Sequence, residues 1–221
     1  MSQIFQLTNA STEDELEAAV GAAVAAVANG GLVVIPTDTS YALICDAFNP
    51  EAVALLRKAK SQDQSVTIPV GAGNRATIDG IATFSELAND LASAFWPGPL
   101  TVITQGQPSV LLAVKDEDAA LPVRIPDHPI ALAVLNAIGP VAMTGAQCAG
   151  QEPVLTSEQA KLAIGEAATV YIDGGQLSGL QSSVVVATGD NLRLVRRGAI
   201  TLAQLRAVVP TVVDATASSK N

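Results

Sequence analysis

Five residues, Leu32-Val33-Val34-Ile35-Pro36, stand between the glycine pair Gly30-Gly31 and the polar run Thr37-Asp38-Thr39-Ser40-Tyr41, and this stretch constrains the fold more than any other. Four consecutive apolar side chains, three of them β-branched, predict a buried strand. The glycines can end a preceding helix. Pro36 has no N–H to give to a ladder, so it closes the strand. It thereby delivers the hydroxyls of Thr37, Thr39, Ser40 and Tyr41 and the Asp38 carboxylate into one loop. Such a loop can be a ligand site, or it can be a polar turn whose hydroxyls bond their own backbone; from these residues alone the two readings stand level.

The flanking segments give the strand its setting. Residues 4–7 predict a short strand. Thr12 and Glu15 form a capping box opening a helix whose inner face is Leu16, Val20, Val24 and Val27 and which stops at Asn29-Gly30-Gly31. After the polar loop, Asn49-Pro50 supplies an N-cap and a first-turn proline for a helix ending in Arg57, Lys58 and Lys60. Basic residues there can simply answer the helix dipole. Further strands are expected at 66–70, 100–103, 121–126, 141–144 and 169–172, with a pair at 182–186 and 192–195 around a turn at 188–191. Helices are expected at 84–96 and 130–138, and behind the caps Thr156/Gln159 and Thr201/Gln204. Residues 71–80 and 174–179 read as loops, 109–114 as extended and the acidic 115–118 as a turn.

Composition decides between classes. Of 221 residues, 49% are hydrophobic, 15% charged and 3% aromatic, which suits layered α/β packing and excludes disorder. No Gly/Ser, Pro-rich or charge-run linker divides the chain, so one domain is expected. A formal net charge of −9 argues against attraction of nucleic acid to the whole surface, and any such binding needs a local basic patch. No basic-then-apolar leader opens the chain, and no run reaches the roughly 18 apolar residues of a membrane span, so no membrane partner and a cytoplasmic location are expected. Cys45 and Cys148 lack a partner motif, and with the lone His128 they make no zinc site. Free thiols follow, and no protein-held metal is expected.

Five motifs in order identify a relative. Pro36-Thr37-Asp38-Thr39-x-Tyr41-x-Leu43, Trp96 to Thr101 as W-P-G-P-L-T, Arg124-x-Pro126-x-His128-Pro129, Ser182 to Val185, and Arg196-x-Gly198 together resemble the YrdC-like family of threonylcarbamoyl-AMP synthases, across residues 30–200. The resemblance implies a short, single-domain form: an α/β domain over residues 1–214, with a twisted mixed sheet of parallel and antiparallel strands flanked by helices; the terminal residues 215–221 are expected to be disordered. It implies an ATP-dependent nucleotidyltransferase that condenses L-threonine or a related amino acid, bicarbonate and ATP to a carbamoyl-adenylate and pyrophosphate for tRNA modification. Magnesium would ride on the triphosphate, held by phosphate and water.

The resemblance also assigns residues. Lys58, Lys60 and Arg196 would offset triphosphate charge, and Lys58, Lys60 and Arg124 would carry catalysis. Arg124 would pair with the amino-acid carboxylate, with Thr37, Thr39, Tyr41 and Ser182 around the substrate. Thr144, Ala146 and Gln147 would complete the nucleotide side. Tyr41 either packs beneath the site or touches ligand. Asp38 either caps its turn or orients its neighbours, and His128 reads as structural. The departures fall among ligand-contacting positions: K-x-R stands as Lys58-Ala59-Lys60, S-x-N as Gly145-Ala146-Gln147, and the glycine of Y-G-L is Ala42. A second reading therefore stays open, a catalytically degenerate paralogue acting as a nucleotide- or double-stranded-RNA-binding module.

Overall fold

The computed structural model describes residues 2–7, 11–114, 120–189 and 191–216. Its strands are β1 (Gln3–Gln6), β2 (Leu32–Ile35), β3 (Ala42–Asp46), β4 (Val70–Gly71), β5 (Ala82–Thr83), β6 (Leu100–Gly106), β7 (Ala120–Arg124), β8 (Val141–Gly145), β9 (Ala168–Asp173), β10 (Ser183–Val186), β11 (Arg193–Arg196) and β12 (Val213–Asp214). The helices are α1 (Glu13–Ala28), α2 (Pro50–Ala59), α3 (Arg75–Asp79), α4 (Glu86–Phe95), α5 (Pro129–Ile138), α6 (Ser157–Ile164) and α7 (Leu202–Val208). All the strands join one sheet in the order β1-β9-β2-β3-β8-β4-β7-β6-β10-β11-β12, with β5 beside β6. Pairing is mixed: β2 runs parallel to β9 and antiparallel to β3, while β6 runs antiparallel to β7 and parallel to β10. The chain is a single α/β domain.

Local chemistry accounts for the elements that frame β2. Thr12 and Glu15 close both bonds of the capping box on α1, and Glu13, Asp14 and Glu15 place acids at its positive end. The Asn29 side chain donates to Ala25 O at 2.8 Å, and Gly30, at φ +74°, turns the chain into the strand. Every residue of β2 is buried. Val33 and Ile35 pack with Ala19, Ala23 and Val27 of α1 and Val134 and Leu135 of α5. Leu32 and Val34 share the opposite cluster with Leu56 of α2 and Ala160 of α6. Further along the sheet, Leu100 and Val102 of β6 pack with Leu91 of α4 and Leu205 of α7.

Several local expectations change. The run after Tyr41, for which no element was expected, forms β3, a buried strand between β2 and β8. At 66–70 only Val70 reaches a ladder, since Pro69 has no N–H and offers only its carbonyl, to Met143 N at 2.8 Å. Inside 71–80, Asn74 caps the short α3. Residues 109–114 pair with no strand. The acidic turn at 115–118 and residue 190 of the turn at 188–191 lie outside the described residues. At the end of the chain Ala215 still donates to Leu194 O and Thr216 to Asp214, and 217–221 lie outside the described residues. Among the described residues no helix is long and apolar enough to cross a membrane.

Candidate active site

One face of the sheet, from β3 to β11, lines a cavity of about 330 Å³. Residues two apart on each strand look into it: Thr101 and Ile103 of β6, Pro122 and Arg124 of β7, Ser182 and Val184 at β10. Thr37 and Thr39 enter from the loop after β2, Thr144 and Gln147 from the end of β8, and Arg196 from β11. Thus Thr37, Thr39, Arg124, Ser182, Thr144, Gln147 and Arg196, separated by up to 159 positions of sequence, share one space.

The polar loop is both a turn and a wall. The Thr37 hydroxyl donates to Ser40 O at 2.6 Å and accepts from the N–H groups of Thr39 and Ser40, which closes the turn. With its proton engaged there, Thr37 Oγ1 accepts from the Thr39 hydroxyl at 3.1 Å. Thr39 Oγ1 in turn accepts from Arg124 Nη1 at 3.2 Å.

Arg124 is 7% exposed. Its Nε donates to Gly98 O at 3.1 Å, and its Nη2 meets Asp38 Oδ1 at 2.5 Å. Burial pushes the guanidinium below the usual arginine range, and Asp38 pulls it back. The W-P-G-P motif serves this arginine. A Cβ on Gly98 would lie 2.4 Å from Phe95 O, so only glycine lets this backbone fold tightly enough to aim its carbonyl at Arg124.

Opposite lies a second arginine. Arg196 donates to Ser182 Oγ at 2.8 Å and to Ser182 O at 3.1 Å, and the Ser182 hydroxyl stands 3.0 Å from Thr101 Oγ1. Burial lowers the pKa of Arg196 as well. The glycine of R-x-G is again a packing requirement, since a Cβ on Gly198 would lie 2.3 Å from Gln181 O.

The remaining sequence-chosen residues stand elsewhere. Lys60 is 4% exposed and does not line the cavity; its ammonium donates to Gly145 O and, at 2.6 Å, to Gln147 O, bracing the loop that does. Burial pushes it down to about 8, against an upward pull from Cys148. Lys58 lines a separate hollow with Arg57, Gln62 and Gln64. Ala146 is buried behind the wall, its N–H given to Tyr41 O at 2.9 Å. Tyr41 is fully buried beneath the site. Its hydroxyl lies 2.7 Å from Gly175 O and 2.9 Å from Asp173 Oδ1 and accepts from Gly174 N, and burial carries it well above the ordinary tyrosine range. Sequence reasoning missed Thr101 and the Asp38–Arg124 pair. Thr101 had a signal in the alternation of Leu100-Thr101-Val102-Ile103; the ion pair had none.

Two arginines held among hydroxyls on the inner face of a mixed sheet define a domain fitted to small ligands carrying carboxylate or phosphate groups. The chain belongs to the Sua5, YciO and YrdC family, described as "Telomere recombination", whose model matches residues 25–198. A Mycobacterium tuberculosis protein provisionally named threonylcarbamoyl-AMP synthase is 35% identical over 191 residues, covering 85% of this chain and 87% of that one. The Bacillus subtilis threonylcarbamoyl-AMP synthase is 30% identical over 207 residues, 91% of this chain and 60% of its own. Sua5 of P. abyssi, solved in complex with L-threonine, superposes with a TM-score of 0.88 at 25% identity, covering 96% of this chain and 62% of that one.

Proposed function

We propose that this protein is a threonylcarbamoyl-AMP synthase, an ATP-dependent enzyme joining L-threonine, bicarbonate and ATP into a carbamoyl-adenylate with release of pyrophosphate, for use in tRNA modification. The observation that carries the reading is the convergence of Arg124, Arg196, Thr39 and Ser182 on one cavity. In it the amino group takes up bicarbonate as a carbamate, losing water; a carbamate oxygen then bonds to the α-phosphorus as the bond to pyrophosphate breaks. Arg124 pairs with the amino-acid carboxylate, and Thr39 and Ser182 exchange hydrogen bonds with its amine and hydroxyl. Arg196 offsets charge on the triphosphate, with Thr144 and Gln147 on the nucleotide side.

Positioning and charge stabilisation suffice for this chemistry, so neither cysteine has a covalent role. Lys60 acts through the loop it braces, and Lys58, facing its own hollow, stays outside the reaction. Magnesium would arrive on the triphosphate, held by phosphate and water. A cytoplasmic location accords with this role. The degenerate binding-module reading is not favoured, since the relatives carry a synthase name. Incubation with ATP, labelled bicarbonate and each amino acid in turn tests the proposal: threonine should stimulate pyrophosphate release and fix the label. If no amino acid raises release above the ATP-only background, the synthase reading falls.

A further inference from the structure

Asp38 does not line the cavity, yet its carboxylate is the only charged group that touches the arginine on the cavity wall, among the described residues. A guanidinium carries five N–H donors, and three of those on Arg124 are engaged, by Gly98 O, Thr39 Oγ1 and Asp38 Oδ1. Two are left for a ligand. Of the three restraints, those to Gly98 and Thr39 have neutral acceptors and are 3.1–3.2 Å long, whereas the one to Asp38 joins two opposite charges at 2.5 Å. Asp38 therefore sets the plane of the fork more firmly than the other two.

We propose that Asp38 is a positioning residue for amino-acid recognition, fixing the Arg124 guanidinium so that its two unengaged N–H donors face the substrate carboxylate. The inference rests on the synthase reading above. The backbone of Asp38 is itself held: it lies within the turn that Thr37 closes onto Ser40, and Ser178 Oγ donates to its carbonyl at 3.2 Å. Its second oxygen, Oδ2, is buried with no hydrogen-bond partner among the described residues, so the carboxylate meets Arg124 through Oδ1. Nδ1 of His128 is likewise buried and unpartnered, and His128 lies within the field of Asp38. The P-T-D and R-x-P-x-H-P segments thus meet at a single carboxylate.

Charge and geometry make opposite predictions, which makes the idea testable. By charge alone, Asp38→Asn leaves Arg124 unneutralised and should tighten binding of an anion. By positioning, the same isosteric change loosens the fork and weakens it. Calorimetric titration of wild type, Asp38→Asn, Arg124→Lys and the double variant, each with L-threonine and separately with ATP and magnesium, decides. Asp38→Asn should weaken threonine about tenfold, the worth of one charge-assisted hydrogen bond, and leave ATP unchanged. In the Arg124→Lys background it should add nothing further, because its effect runs through Arg124.

Tighter threonine binding by Asp38→Asn, equal losses for threonine and ATP, or additive penalties in the double variant would each overturn the proposal. Should Asp38→Asn lower the thermal midpoint, Asp38→Glu decides, since it keeps the charge but shifts the oxygen by a methylene: threonine bound as tightly as by wild type rejects positioning. A wild-type protein that binds no amino acid overturns the synthase reading together with this one. Wild-type threonine binding with an indifferent Asp38 variant rejects this one alone.

Discussion

Raising the pH should strengthen one contribution to this protein's stability and lower its activity over the same interval, and Lys60 is the reason for both. The ammonium has an ordinary pKa of 10.5 in the unfolded chain and about 8 in the fold, where burial disfavours its charge. Below pH 8 the fold carries a charged, desolvated amine at a cost of about 3 kcal/mol, from the difference between those two values. Between pH 8 and 10.5 the unfolded chain holds the proton that the folded one has released. The Lys60 contribution to stability therefore rises with pH across that window, by at most about 1.4 kcal/mol per pH unit, and levels off on either side, while the buried Cys45 thiol, pushed up to about 12, acts the other way above pH 9 in wild type and variant alike. Lys60→Met has no proton to lose. Urea unfolding of both proteins at constant slope, from pH 7 to 10.5 with the thiols kept reduced, isolates the lysine's share: wild type should gain about 3 kcal/mol relative to the variant. Activity should run the other way, because a neutral amine holds the Gly145 and Gln147 carbonyls less strongly than an ammonium does. Pyrophosphate release should then fall above about pH 8. Parallel stability curves for the two proteins would refute the reasoning.

Tyr41→Phe should lower stability by about 0.5–1.5 kcal/mol in denaturant titration, since it removes a buried hydroxyl from three partners that water can still reach, while threonine and ATP affinities hold. Gly145→Ala sets a Cβ 2.3 Å from Gln147 Oε1, so it should displace that carboxamide and weaken ATP in calorimetry, whereas adding Gln147→Ala should relieve the crowding and leave Gly145→Ala without further effect. Arg196→Ala should weaken ATP at least tenfold, in line with loss of a charge-assisted contact, and Lys58→Ala should not change it; equal losses would move the triphosphate to the other hollow.

The parts of this molecule that are local in the chain were legible in the chain. The strand Leu32–Ile35, the boxes at Thr12/Glu15 and Thr201/Gln204, and the pair β10–β11 all stand where pattern and capping chemistry put them. Strand β3 was not read, because Ala42 to Asp46 is a short run directly after the polar turn, and its burial comes from β2 and β8 on either side. Lys58 and Lys60 show the limit of motif spacing. Residues two apart on a helix point about 200° apart, so the two ammonium groups had to diverge, and only Lys60 faces the Gly145 loop. The Asp38–Arg124 pair spans 86 residues and depends on β2 and β7 being brought to one cavity, which no local pattern encodes. Likewise the Gly145-Ala146-Gln147 departure looks in sequence like a plain loss, while in space the glutamine carboxamide occupies the room that a side chain at 145 would need.

The alternation of the cavity strands has an evolutionary consequence. On β6 the even-numbered Leu100 and Val102 belong to the core, and the odd-numbered Thr101 and Ile103 to the cavity; on β7 the assignment reverses, with Leu121 and Val123 in the core and Pro122 and Arg124 in the cavity. Selection on ligand choice and selection on folding thus act on interleaved but separate sets of positions. A lineage can exchange side chains on the inner set, as at Gly145 and Gln147, without repacking the apolar clusters behind them, so substrate preference in such a domain is free to drift on a scaffold that stays the same.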